Sequence, residues 1–499
     1  MGLRPVGCFH FVFIFDLLGK MKRLKSFLPP ILLLAVFLFI YRGAIGNYFF
    51  QDDFYFLRLS HANNLFDFLK FFSPWNQQGF SCFRPLGTQV HFFIGNLVGG
   101  EKSYLVLRAI SFLFHFFNFL LIFKIIEKVS RKRRSAFILS ALYLFAPLHF
   151  LSLYYIAAFQ QILAAFWQFL GLYFYLNKKK KAVYFCFIFA LLSKETAIVY
   201  PALLFLFSLI GQKEMNFKKA FCQIKKEFFY WLSFALLIIF YGLLRWSSFS
   251  QNLGSEYELS LSMRTFLSSA RWYLIWLLGA PETIISYAGR GFAFNWFSFV
   301  KDAKILGYLF TGTFLAEVVL LCLILVRLIS LGKGRKKILS FLVWFGVWFI
   351  VSLLSVSFFP YHRYSHYLDM AFFAFLLIVA RMMSKKSGVL LAILAGVFIL
   401  NGYFAIGIDF KLHWAPARSK IAAKYYQFFK NEKICENKQG IYFVDTQSNS
   451  AKEVAIALSF ADGPRYFCQN YQLPVFYQGV NEPPEKEKNS LFKIESKIR

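Results

Sequence analysis

Apolar residues recur along this chain in long runs rather than in narrow stripes. The runs fall at about 28–45, 104–127, 136–150, 157–176, 182–193, 196–210, 228–245, 304–330, 337–357, 367–384 and 387–407. A membrane-spanning helix needs about 20 such residues, since each advances the axis by about 1.5 Å across hydrocarbon about 30 Å thick. The pattern predicts an all-α polytopic membrane protein with about 11 transmembrane helices. The stretch 182–210 holds two segments, each short for a full crossing. It reads as a hairpin with Lys194 and Glu195 at its tip.

Two long connections interrupt the runs, at 46–103 and 246–303. Within them, residues 54–70, 85–98 and 262–279 are amphipathic and predict helices lying in the membrane interface. After Asp409 the chain turns polar. Residues 416–431 predict a helix, Ile441–Val444 a strand and 450–460 a second helix, together a small C-terminal α/β segment. The stretch after Asn481 (EPPEKEKNS) reads as disordered. The chain thus divides into an N-terminus 1–27, a transmembrane domain 28–407 and a C-terminal segment 408–499. Residues 7–19 are apolar but short and contain Asp16, and no small-residue cleavage site follows them. Met21, followed by Lys22, Arg23 and Lys25, reads as a more natural start.

Composition agrees. The 499 residues are 58% hydrophobic and 16% charged, with a mean hydropathy of +0.52. Soluble domains have about 45–50% apolar and about 25% charged residues, so both a soluble domain and a disordered chain are excluded. The net charge of +31 is placed in short clusters. Six of them (Lys20–Lys25, Lys128–Arg134, Lys178–Lys181, Lys213–Lys226, Arg327–Lys337 and Arg381–Lys386) hold 26 Lys and Arg, in every second connection. Cytoplasmic loops carry this excess. The N-terminus is therefore expected in the cytoplasm, and both long connections and the C-terminus outside. No basic face with interleaved aromatics occurs in a polar segment, which argues against a nucleic-acid partner. The seven Cys form no CxxC or Cys/His spacing that would hold zinc. Cys435 and Cys468 lie in the polar C-terminal tail and could pair if it is extracytoplasmic; two free thiols are the favoured reading.

Candidate chemistry clusters in the expected outer connections. Asp52 and Asp53 follow the first apolar run, where a charge near hydrocarbon is expensive and tends to serve function. Asp is also a good N-cap for a helix starting near Phe54. Arg84, before Pro85, has the planar fork that matches phosphate oxygens. His149 and the adjacent Gln160 and Gln161 are polar where the runs should be apolar, as hydrogen-bond partners between helices or as sugar contacts. Lys194 and Glu195 are opposite charges inside a hydrophobic hairpin. The stretch Tyr361-His362-Arg363-Tyr364-Ser365-His366-Tyr367 brings cations and aromatics together, either to grip an anionic headgroup or as an interface belt. His362 and His366 are four apart, but no third metal ligand is near, so no metal or other cofactor is expected.

These pieces together resemble the type C glycosyltransferase superfamily, polytopic enzymes that take a sugar from a polyprenyl-phosphate carrier. The likeness is to the protein O-mannosyltransferase-like branch, including transmembrane O-mannosyltransferases with tetratricopeptide repeats. It rests on Asp52-Asp53, Phe83-Arg84-Pro85-Leu86, Pro147-Leu148-His149 to Gln160, Leu192-Ser193-Lys194-Glu195-Thr196-Ala197 with Pro201, and Arg363-Tyr364. It covers about residues 28–410. The chain departs from the branch in having no repeats after the transmembrane part and no acidic residue just after His149.

The resemblance implies an inverting glycosyltransferase that moves a sugar from a polyprenyl-phosphate donor to an extracytoplasmic protein, lipid or glycan. Asp52 is then the general base and Asp53 orients it or the acceptor. Two adjacent carboxylates should raise the base's pKa. Arg363, Lys194, Arg84, His362 and Tyr364 are then donor-phosphate ligands. His149, Gln160, Gln161 and Glu195 are acceptor or sugar contacts. A bacterial plasma membrane is the expected location. Two other classes compete. A polyprenyl-linked glycan flippase needs ionisable groups near the bilayer midplane. An O-antigen ligase or polymerase carries Arg and His in a late outer loop, whereas the 246–303 connection has Arg264, Arg271 and Arg290 but no His.

Overall fold

A computed structural model of the chain describes residues 28–74, 83–100, 102–210, 225, 227–246, 257–289, 293–330, 335–382, 388–436, 440–446 and 450–496. The expectations for residues 1–27, including the start at Met21, lie outside the described residues.

The structure is 75% helical. Each apolar run carries a helix: Leu28–Ile40, Ser103–Ser130, Arg133–Phe145, Phe159–Leu176, Lys180–Ser193, Tyr200–Ile210, Phe228–Trp246, Ile305–Ser330, Arg335–Leu353, Asp369–Met382 and Gly388–Leu412. Among the described residues, five helical stretches are long and apolar enough to cross a membrane: 103–130, 156–176, 305–324, 365–382 and 388–412. Arg133–Phe145 with Pro147–Tyr154, bent by 43°, makes a sixth if the pair is one broken span and not a re-entrant loop. The bend has a local cause. Pro147 excludes the helical conformation from the residue before it, and Ala146 is extended, with φ −65° and ψ 129°. Four further apolar helices are shorter than a full crossing. The chain is a membrane-embedded, mainly helical protein.

Burial separates a lipid-type surface from a polar-stapled interior. Leu236, Ile239, Leu243, Leu315, Val319 and Leu323 are exposed on helix faces. Inside, Trp344 Nε1 donates to the Leu206 carbonyl at 2.8 Å, and Trp348 Nε1 to the Met370 carbonyl at 2.8 Å. Buried Trp normally finds such a partner. Among the described residues, basic clusters meet the helix ends that carry other basic clusters. Lys128 Nζ donates to Asn177 Oδ1 at 2.6 Å, Lys132 Nζ to the Ala380 carbonyl at 3.3 Å, and Lys180 pairs with Glu227 at 2.9 Å.

The first connection forms helices Asp52–Leu59, Leu65–Lys70 and His91–Val98, with a π-helical turn at Leu86–Val90. The second forms Met263–Leu277, whose N-cap Ser262 accepts from the Thr265 N–H. In the C-terminal segment, helix Trp414–Asn431 precedes a parallel sheet of order β2-β1-β3. Its strands are β1 (Ile441–Val444), β2 (Val475–Tyr477) and β3 (Phe492–Glu495). Ile441 faces Val475 on one side and Phe492 on the other. The disorder expected after Asn481 is not what the structure has: residues 482–490 turn and deliver β3 to the sheet edge. The backbone bonds of β1 outweigh the local charge density that suggested disorder.

Of the two readings open for Cys435 and Cys468, the favoured free thiols give way to pairing: they form a disulfide with Cα atoms 5.0 Å apart. It closes a loop with a sequence separation of 33, and such a loop contributes about 3–4 kcal/mol on the chain-entropy account. A Cys435→Ser/Cys468→Ser variant is expected to unfold its C-terminal segment at lower denaturant than wild type. It should gain no further protease sensitivity from added reductant, whereas wild type should.

The segment is docked, not appended. Tyr48 stacks on Tyr426 with centroids 5.2 Å apart, Phe49 meets Tyr466 at 5.9 Å, and Phe54 meets Phe467 at 5.4 Å. One buried cluster therefore runs from the first connection into the β-sheet.

Candidate functional site

The first connection opens with a tight turn. The Asp53 N–H donates to the Phe50 carbonyl at 3.2 Å, and Gln51 has φ 52° and ψ −127°. That conformation is the first central position of a type II′ turn, normally glycine's. The turn sends its two carboxylates in opposite directions. Asp53 is fully buried, with Oδ2 accepting the Phe50 N–H at 3.1 Å and Oδ1 accepting the Ala157 N–H at 2.8 Å. Asp52 is exposed; its own N–H donates to the Tyr155 hydroxyl at 3.0 Å, and that hydroxyl also bonds the Asp52 carboxylate.

Of the two roles expected for Asp53, contact with the acceptor does not fit its burial; it staples the turn that carries Asp52 to the segment before helix Phe159–Leu176. Burial pushes the Asp53 carboxyl up to about 8, opposed by the Phe50 N–H, Arg108 and the Ala157 N–H; the neighbouring Asp52 charge is the smallest contribution. A carboxyl with a raised folded-state pKa stabilises the fold fully below its unfolded value of 3.8, and that contribution is lost as pH rises through about 8. In detergent, wild type is expected to lose more thermal stability than Asp53→Asn between about pH 5 and about pH 8. Parallel curves for the two proteins would refute it.

Asp52 faces a cavity of about 560 Å³. Its walls come from four parts of the chain. The first connection supplies Gln51, Asp52, Tyr55 and Arg84; the second supplies Tyr257; the bundle and its 359–368 loop supply Gln160, Lys194, His362, Tyr364, His366 and Tyr367; the C-terminal segment supplies Trp414 and Ser459–Asp462. The hairpin turn expected at Lys194–Glu195 is present. Lys194 is extended, with φ −160° and ψ 136°, between helix Lys180–Ser193 and the 3₁₀ turn Glu195–Val199.

The partner of Glu195 comes from the first connection. The Arg84 fork takes both Glu195 oxygens, with Nε donating to Oε2 at 2.5 Å and Nη2 to Oε1; Nη1 donates to Gln160 Oε1 at 2.6 Å. Arg84, proposed by sequence as a phosphate ligand, is thus already matched to a carboxylate. Glu195 and Gln160, read as acceptor contacts, hold it. Gly87 makes this approach feasible, since a Cβ there would lie 2.3 Å from the Ser193 carbonyl oxygen and 2.6 Å from Gln160 Cβ. Removing one partner of a buried ion pair costs about 3–5 kcal/mol. Arg84→Ala is expected to cost about 3 kcal/mol, the lower end, because the Glu195 side chain is 30% exposed. Unfolding in detergent checks it.

The Lys194 ammonium, 2% exposed, lies 4.5 Å from the Tyr367 ring centroid and 3.5 Å from His366 Nε2. His362 Nε2 pairs with the Tyr367 hydroxyl at 2.8 Å, its ring is 4.3 Å from that of Tyr257, and Tyr364 stacks on His366 at 5.6 Å. Burial, then Lys194 and Arg84, lowers the His362 pKa to about 3, so His362 is neutral near pH 7 and offers a hydrogen bond, not a charge. Arg363 is a further correction. It does not line the cavity; its Nε donates to Ser269 Oγ at 3.0 Å, beside helix Met263–Leu277.

His149 and Gln161 are also away from the cavity. They surround Asp369, which accepts from the Tyr143 hydroxyl at 2.6 Å and from Gln161 Nε2 at 2.9 Å; His149 Nδ1 lies 3.5 Å away. This is an interhelical polar cluster that braces the start of helix Asp369–Met382. Sequence reading missed Asp369, although a lone acid opening an apolar run was a signal. It also missed Glu282 and Asp409. Glu282 accepts from the Ser365 N–H at 2.9 Å and lies 3.2 Å from His413 Nε2, joining the 359–368 loop to the start of helix Trp414–Asn431. Asp409 accepts from the Glu282 and Thr283 N–H groups at 2.8 and 2.9 Å. Glu317, inside helix Ile305–Ser330, is 2% exposed and meets Asn401 Nδ2 at 3.1 Å.

Among the described residues, no group of three or more His, Cys, Asp or Glu is placed to hold a metal ion. Compared with known proteins, the chain matches no protein-family model, no curated protein and no solved structure.

Proposed function

We propose that the chain is an inverting glycosyltransferase that takes a sugar from a polyprenyl-phosphate carrier, with Asp52 as general base. The observation that carries this reading is the cavity, where an exposed carboxylate and a buried ammonium share a space of about 560 Å³ with aromatic rings. A base must reach the acceptor hydroxyl, and the developing phosphate charge needs a fixed cation in a site with little water. Asp52 supplies the first and Lys194 the second; neutral His362 and the Tyr364 hydroxyl add hydrogen bonds. The acceptor oxygen loses its proton to Asp52 and bonds the anomeric carbon, while the carrier phosphate leaves towards Lys194 with the C–O bonding pair. Displacement from the opposite face inverts the anomeric centre.

The full reading has about 11 spans, the shorter apolar helices completing the bundle by tilt or local thinning of the bilayer. The cavity and C-terminal segment then lie outside the cytoplasm. Two observations support that side: basic residues gather at the end of the bundle away from the cavity, and the Cys435–Cys468 disulfide belongs to an oxidising compartment. The Ser459–Asp462 wall is the acceptor side, with Phe460 50% exposed there. Phe460→Ala is expected to raise the acceptor KM about tenfold, the weight of a lost aromatic contact of about 1.4 kcal/mol, with donor hydrolysis unchanged. Initial rates with varied acceptor check it.

A second reading, a polyprenyl-linked glycan transporter, is favoured by Glu317, a carboxyl buried within a candidate span. The discriminating test is sugar transfer by purified protein in liposomes, with wild type and Asp52→Asn compared on a panel of labelled polyprenyl-phosphate sugars.

A further inference from the structure

The turn that presents Asp52 is strained, and part of what holds it comes from the far end of the chain. Gln51 occupies a conformation that costs a non-glycine residue about 1–3 kcal/mol and persists only where its surroundings over-determine it. The C-terminal segment supplies two of those restraints. The Gln51 N–H donates to the Ala457 carbonyl at 2.8 Å, and Arg418 Nη1 donates to Gln51 Oε1 at 2.8 Å. Arg418 is itself oriented: its Nε donates to Glu453 Oε1 at 2.8 Å, and its guanidinium lies 5.0 Å from the Trp414 ring centroid. Just below, the Tyr48 N–H donates to Ser419 Oγ at 2.8 Å. More than 360 residues of sequence separate these partners.

We infer that the C-terminal segment is a positioning element for Asp52 and that Arg418 is the positioning residue through which it acts. The inference rests on the reading of Asp52 as the base. Arg418 does not line the cavity. It fixes the Gln51 side chain, hence the peptide that aims Asp52, hence the carboxylate. A planar fork is needed because one side chain must meet Gln51 and Glu453 together; a lysine ammonium has no such geometry.

The test uses the full chain in liposomes. Misplacing a catalytic group by about 1 Å costs up to about 10²-fold in rate. Arg418→Ala and Gln51→Ala are each expected to lower kcat by about 10- to 100-fold, with donor KM within about twofold. Arg418→Lys should fall between Arg418→Ala and wild type. The double variant should be no slower than the slower single one, because both remove the same contact. Hydrogen exchange across residues 48–56 supplies a readout independent of activity. It should accelerate in Arg418→Ala and stay at the wild-type rate in Asp52→Asn. Full kcat in Arg418→Ala beside an inactive Asp52→Asn would overturn the inference, as would unchanged exchange in Arg418→Ala. An active Asp52→Asn would instead overturn the base assignment, while exchange would still decide whether Arg418 holds the turn.

Discussion

Asp52→Asn is expected to lower sugar transfer by about 10³-fold, within the 10²–10⁴ range typical of a lost general base. The amide has nearly the shape of the carboxylate but cannot take the acceptor proton. The fold should tolerate the change. Asp52 is exposed, its N–H contact to the Tyr155 hydroxyl at 3.0 Å is kept, and the asparagine side-chain oxygen can still accept from that hydroxyl. Thermal unfolding should therefore match wild type within about 0.5 kcal/mol. Asp53→Asn should give the contrasting result. Its two oxygens accept the Phe50 and Ala157 N–H groups, whereas an asparagine amide keeps one acceptor oxygen and turns an NH2 donor towards the other N–H. Stability should fall first in that variant. A drop in rate per folded molecule in Asp53→Asn as large as that in Asp52→Asn would remove the division of labour between the two carboxylates.

Lys194→Met is expected to cost about 10²–10³-fold in kcat, the usual loss when one preorganised charge stabiliser is removed. Methionine keeps much of the apolar stem against the Tyr367 ring, so the loss should report the charge. Lys194→Arg should not restore full activity. Its larger planar head does not fit beside His366, whose Nε2 is 3.5 Å from the ammonium. Transfer kinetics on the three proteins, with folding checked by unfolding in detergent, test this. Unchanged kcat in Lys194→Met would take the leaving-group role from Lys194.

The parts of this architecture legible in the sequence are those with a local signal. Apolar runs announced the helices, and a short apolar run between polar stretches announced the β1 strand, whose bounds at Ile441–Val444 match. What the sequence concealed depends on long-range contact. Adjacent Asp52 and Asp53 look equivalent until a turn with positive φ at Gln51 buries one and exposes the other. Lys194 and Glu195 look like mutual partners until Arg84, 111 residues away, claims the glutamate. His149 and Gln161 look like site residues because a polar group in an apolar run invites that reading; Asp369, over 200 residues on in the case of both, gives them an interior partner instead. The disulfide and the docking of the C-terminal segment on the first connection have no sequence period at all.

The most direct test of the central claim is the product of wild-type protein in liposomes supplied with labelled polyprenyl-phosphate sugars and an envelope acceptor extract. The account predicts a new glycosidic bond, with the anomeric configuration inverted relative to the donor. Label that crosses the bilayer still attached to its carrier, with no new bond formed, would contradict it and favour transport.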